Sequence, residues 1–111
     1  MFTAIPSEGM ETSALMAARF ARAPYFLVFD ENGNITDCIA NDSVRLAHGA
    51  GGNAVKVLSE KDIDAVIVPQ VGPNAAVALK MAQIRVYETS TDTVEIIIQK
   101  YIKGDLKELS L

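Results

Sequence analysis

Two apolar runs, Tyr25-Phe26-Leu27-Val28-Phe29 and Ile35 to Ala40, stand on either side of Asp30-Glu31-Asn32-Gly33-Asn34. An Asn-Gly pair between such runs is the strongest short-range hairpin signal, because the tight turn needs residues that tolerate positive φ. The two runs are therefore expected to pair antiparallel, as the second and third strands of a sheet. The pattern then changes. Between Gly49 and Glu60 the apolar positions Ala50, Ala54, Val55 and Leu58 share one helical face, and Asp64 leads into Ala65-Val66-Ile67-Val68, an apolar strand bounded by Pro69. Gly72-Pro73-Asn74 opens a second helix running to about Gln83, since proline is tolerated at the first helical position, where its missing N–H costs nothing.

Ile84 to Tyr87 reads as a fifth strand. Asp92 with Glu95 three residues later resembles a capping box, and Val94, Ile97, Ile98 and Tyr101 form the apolar stripe of a last helix that Gly104 stops. Ahead of the hairpin, Phe2 to Ile5 is a first strand closed by Pro6, and Ser13 to Phe20 has helical spacing for one or two turns. Strand-helix-strand connections are right-handed and make the later strands parallel. The expected architecture is an α/β domain with a mixed five-stranded sheet in which strand two is antiparallel.

A chain of 111 residues fits one domain over 1–111, and a hydrophobic content of 50% supplies a core. The net charge of −4, with no clustered basic stretch, argues against nucleic acid as a partner. Apolar runs of only a few residues are far short of the ~20 that cross a bilayer, so no membrane span is expected. The single cysteine, Cys38, cannot form an internal disulfide, and no leader-like segment is evident. A reducing cytoplasm is the expected location; the oligomeric state is not legible.

Three segments carry a family resemblance. Phe20-Ala21-Arg22-Ala23-Pro24-Tyr25-Phe26, His48-Gly49-Ala50-Gly51 and Val71-Gly72-Pro73-Asn74-Ala75 resemble, in order and spacing, segments of the dinitrogenase iron-molybdenum cofactor biosynthesis family, and Val86-Tyr87, Thr93-Val94, Tyr101 and Gly104 extend the similarity over nearly the whole chain. The resemblance implies a ribonuclease H-like three-layer fold with sheet order 3-2-1-4-5 and, in some relatives, a role in binding or escorting nitrogenase cofactor precursors. Cofactor-binding members often have His where this chain has Arg19, and glycine where it has Ala21, which favours a charge clamp over direct ligation at that position.

In such a sheet the loops after strands one, three, four and five emerge along one edge, where ligands of open α/β sheets collect. The Ser7–Arg22 loop, His48-Gly49, Gly72-Pro73-Asn74 and Thr89-Ser90-Thr91 are expected to converge there. Gly49, Gly51 and Gly72 with Asn74 mark two glycine-rich helix starts, which either attract an anion through free N–H groups or simply permit tight turns. Arg19 and Arg22 either clamp an anionic ligand or are solvated surface charges. His48, the only imidazole, is a candidate metal ligand or an ordinary surface residue. Cys38 is read as buried, and no Cys-rich spacing supports a self-sufficient iron-sulfur site.

Relatives of this fold that cleave phosphoesters place a catalytic Asp on strand one, and Phe2 to Ile5 offers none. The expected function is a non-catalytic carrier or chaperone that transiently binds an anionic iron-molybdenum or iron-sulfur cofactor and exchanges it with donor or acceptor proteins. The alternative is a regulatory or scaffolding module that binds a protein through the same edge and no cluster.

Overall fold

The hairpin forms as its sequence dictates. In the computed structural model, which describes residues 1–111, β2 (Tyr25–Phe29) and β3 (Ile35–Ala40) pair antiparallel, from Tyr25 opposite Ala40 to Phe29 opposite Ile35. Asp30 organises the turn: its Oδ1 accepts from the N–H groups of Asn32 and Asn34, both at 3.0 Å, and Gly33 sits at φ +86°, a conformation that favours glycine.

β1 (Thr3–Ser7) pairs antiparallel with β2 and parallel with β4 (Ala65–Val68). β5 (Arg85–Glu88) runs parallel to β4, and the helices are α1 (Ala50–Glu60), α2 (Pro73–Met81) and α3 (Val94–Ile102). Strand alternation divides the core into two layers. Ala4, Phe26, Val28, Val66, Val68 and Val86 face Ala54, Val55 and Leu58 of α1 and Ala75 and Leu79 of α2. The intervening Ile5, Leu27, Phe29 and Ile67 face Val94, Ile97 and Ile98 of α3, with Met16 beside them. A sheet buried on both faces explains why these strands are almost wholly apolar.

Four expectations are corrected. The sheet has six strands, in the order β3-β2-β1-β4-β5-β6, because β6 (Lys107–Leu109) pairs antiparallel with β5. Only Leu109 of these three residues packs on the core, so the segment carries no apolar alternation to announce itself. Second, β1 does not stop at Pro6. The Pro6 carbonyl points away from β2 and accepts from Ala17 N–H at 2.8 Å, so the missing proline N–H belongs to that same side and the β1–β2 ladder is intact.

Third, Ser13 to Phe20 forms no α-helix; a 3₁₀ turn appears only at Phe20–Arg22. The loop's backbone is used elsewhere: Thr12 and Ala14 carbonyls accept from Glu95 and Val94 N–H, both at 2.9 Å, and so satisfy first-turn donors of α3. Fourth, the Asp92–Glu95 capping box does not form. Thr93 is the N-cap without a side-chain bond, and Asp92 Oδ1 instead accepts from Thr93 N–H at 2.8 Å. No helix is long and apolar enough to cross a membrane.

Cys38 is half-buried at the margin of the α3-side layer, and burial, reinforced by the neighbouring Asp37 charge, pushes its thiol pKa up. The protonated thiol is favoured in the folded state, so this group's stabilising contribution is present below the ordinary thiol pKa and lost as pH rises through the raised one. Iodoacetamide should accordingly modify native Cys38 more slowly near neutral pH than the unfolded chain, with the gap closing in alkali; equal rates would show an unperturbed thiol.

Candidate functional site

β1 and β4 are neighbours whose chains leave the sheet in different directions, and a crevice opens beyond their carboxyl ends, the place where open α/β sheets bind ligands. The crevice is a cavity of about 390 Å³. One wall is Arg19, Phe20, Ala21 and Arg22 from the end of the first loop; the other is Gln70 to Ala75, leading from β4 into α2, and Gly51 of α1 lies between them. Phe20 anchors the first wall in the core, its ring 5.3 Å from that of Phe26.

Two helices begin beside this space. The Gly49 carbonyl, at φ +76°, accepts from Asn53 N–H, and the Gly72 carbonyl accepts from Ala76 N–H, which leaves the earlier first-turn N–H groups of α1 and α2 outside the helical ladders. The two starts are nearly in contact: a Cβ on Gly51 would lie 3.2 Å from Ala75 Cβ and 3.3 Å from Ala75 N. Glycine at 51 allows this close approach, which a Cβ would meet as a tight contact. Gly51→Ala adds helix propensity of about 0.5–1 kcal/mol against a tight methyl contact. We expect stability within ~1 kcal/mol of the parent, while a methyl group over the Ala75 N–H weakens anion binding about tenfold. Calorimetric titration alongside urea unfolding checks both halves.

Arg19, Arg22, Gly51, Gly72 and Asn74 are thus brought together, but His48 and Gly49 are not part of this lining. His48 is exposed, and nowhere in the chain do three or more His, Cys, Asp or Glu side chains gather as a metal site. Thr89-Ser90-Thr91 also lies outside the lining; the chain just beyond it meets the first loop instead, where Met16 N–H donates to the Asp92 carbonyl at 2.9 Å. Gln70 joins the lining although it falls just outside the Val71–Ala75 segment; its place just past a strand's carboxyl end is the available signal.

Arg22 has a second task that its motif does not reveal. Its Nη1 donates to the carbonyls of Val44 at 3.1 Å and Leu46 at 2.8 Å, tying the first wall to a 3₁₀ turn at Asp42–Arg45. Arg19 makes no such bond and is exposed beside the cavity.

The lining contains no carboxylate, thiol or imidazole. It offers two guanidinium groups, two side-chain amides and helix-start N–H groups, a set suited to holding an anion by hydrogen bonds and charge and unsuited to ligating a bare metal ion.

These features define a small mixed α/β fold with a crevice at the strand ends lined by two arginines and no carboxylate. The chain belongs to the dinitrogenase iron-molybdenum cofactor family, whose match covers residues 1–104. It is similar to the apo form of the orange protein from Desulfovibrio gigas, with a TM-score of 0.92 and 32% identity, covering 98% of this chain and 92% of that one. A putative NifB protein from Thermotoga superposes with a TM-score of 0.85 at 38% identity, over 99% of this chain and 94% of the other. An uncharacterized protein of Methanocaldococcus jannaschii is 27% identical over 96 residues, 84% of this chain and 81% of its own length.

Proposed function

We propose that this protein is a non-catalytic carrier that holds an anionic metal-sulfur cofactor, of iron-molybdenum or iron-sulfur type, transiently in the crevice between β1 and β4. The observation that carries the reading is the lining itself: two guanidinium groups on one wall, two side-chain amides and a helix start on the other, and no carboxylate, thiol or imidazole. A cluster suited to this site arrives with its metal coordination already satisfied by sulfide and presents sulfur acceptors to Arg19, Arg22, Asn74 and the starts of α1 and α2. Family membership and the likeness to the orange protein and to a putative NifB protein support a cofactor-related role. The three-layer arrangement is read as ribonuclease H-like, with β6 an addition at the β5 edge.

Weak, non-covalent retention suits a carrier, because cargo held by hydrogen bonds can be passed on without breaking metal–protein bonds. Donor and acceptor proteins of the same cofactor are the expected partners, in a reducing compartment where sulfide clusters persist. His48 is kept as a candidate ligand only for a cofactor that extends beyond the cavity mouth. β1 carries no carboxylate, so hydrolysis of phosphoesters with added magnesium or manganese is not expected.

Anaerobic titration with tetrathiomolybdate, a compact anion of metal and sulfide, tests the reading. Saturable binding near one equivalent, weakening severalfold as salt rises from about 0.05 to 0.5 M because exposed guanidinium groups are screened, is the expected result. Absence of binding would leave the scaffolding alternative as the better account.

A further inference from the structure

The cavity wall that carries Arg19 and Arg22 is not a free loop; it is fastened by a buried asparagine outside the cavity. Asn41, buried just after β3, donates from Nδ2 to the carbonyls of Ala21 at 3.1 Å and Ala23 at 2.7 Å, while its Oδ1 accepts from Ser43 N–H at 3.0 Å. Its backbone N–H donates to the Pro24 carbonyl at 3.0 Å. Both amide protons of this side chain are thus spent on the wall, and Arg22 returns two bonds the other way, to the Val44 and Leu46 carbonyls. Ser43, fully buried, then accepts at Oγ from Asn53 Nδ2 of α1 at 2.9 Å. Asn53 lies two residues beyond Gly51, so one polar chain links the arginine wall to the start of α1, which lies between the two walls.

Resting on the carrier reading above, we propose that Asn41, with Ser43 and Asn53, positions the site: it sets the separation between the Arg19–Arg22 wall and the start of α1, and thereby the fit of a compact anion. None of the three lines the cavity, so their removal deletes no contact with the ligand. Buried amides with both donors engaged fix geometry because leaving either carbonyl unpaired is costly, and binding sites need their supporting shell held to fractions of an ångström.

The test uses Asn41→Ala and Asn53→Ala, the second keeping the buried amide and replacing a half-buried helical side chain by a strong helix former, so that it folds even if the first does not. Two readouts are taken: amide hydrogen exchange at Arg22, Ala23 and Ser43 without ligand, and anaerobic affinity for tetrathiomolybdate. The expected result is faster exchange at these amides and affinity lowered about tenfold, with the unfolding midpoint of Asn53→Ala close to that of the parent. Asn41→Asp, which keeps the acceptor for Ser43 but loses both donors to the wall, should not restore affinity. Exchange unchanged in the folded variants overturns the positioning role whether or not the parent binds, as does faster exchange with affinity intact. A parent that fails to bind overturns the carrier reading and with it this role at that site.

Discussion

Arg19→Ala is expected to weaken anaerobic binding of tetrathiomolybdate by roughly tenfold to over a hundredfold, the loss of about 1.5–3 kcal/mol that accompanies a charge-assisted hydrogen bond. Its unfolding curve should be unchanged, since the side chain is exposed and makes no hydrogen bond within the protein. Arg22→Ala should weaken binding to a similar degree but also lower stability by about 1 kcal/mol, because the carbonyls of Val44 and Leu46 lose their donor. Binding is thus expected to separate from folding at Arg19 but not at Arg22, whose guanidinium also ties the first wall to the Asp42–Arg45 turn. His48→Ala, outside the lining, serves as the control and should leave affinity within about twofold. If His48→Ala alone abolished binding, the cargo would sit elsewhere.

Phe26→Ala should have the largest effect on stability. Phe26 is fully buried near the start of β2, in the layer under α1 and α2, and its ring supports that of Phe20 at the base of the arginine wall. Truncating a buried Phe typically costs about 3–5 kcal/mol, against a total of ~5–15 kcal/mol for a domain. Chemical denaturation should show that loss. Because Phe20 loses its partner, the folded fraction should also bind anion less tightly than Cys38→Ala, whose position at the edge of the opposite layer predicts a modest loss of stability with affinity intact.

The sequence is legible where one physical requirement dominates. The Asp30–Asn34 turn, the apolar strands and the α1 and α3 stripes each reflect a single period or a single backbone constraint, and each forms where expected apart from boundaries. It is silent where a residue's role is set by something distant. β6 is three residues with one apolar contact, stabilised by the β5 edge it covers. The Ser13–Phe20 stretch has helical spacing, yet the carbonyls of Thr12 and Ala14 at its start are claimed by α3. In the crevice, arginines and glycines could be nominated from motifs, whereas Asn41, Ser43 and Asn53 look like ordinary turn and helix residues until their partners 10–20 positions away are known. His48 shows the converse: a residue prominent by chemical type need not face the space its neighbours enclose.

The central claim is that cargo binds between β1 and β4 without metal ligation by the protein. The most direct measurement is the backbone amide spectrum of the ¹⁵N-labelled protein during anaerobic titration with tetrathiomolybdate. Shifts are expected to concentrate at Arg19 to Arg22, Gly51, Gly72, Asn74 and Ala75, with Cys38 and His48 little changed. Shifts confined to β3 around Cys38, or centred on His48 with the Gly72–Ala75 helix start untouched, would contradict it.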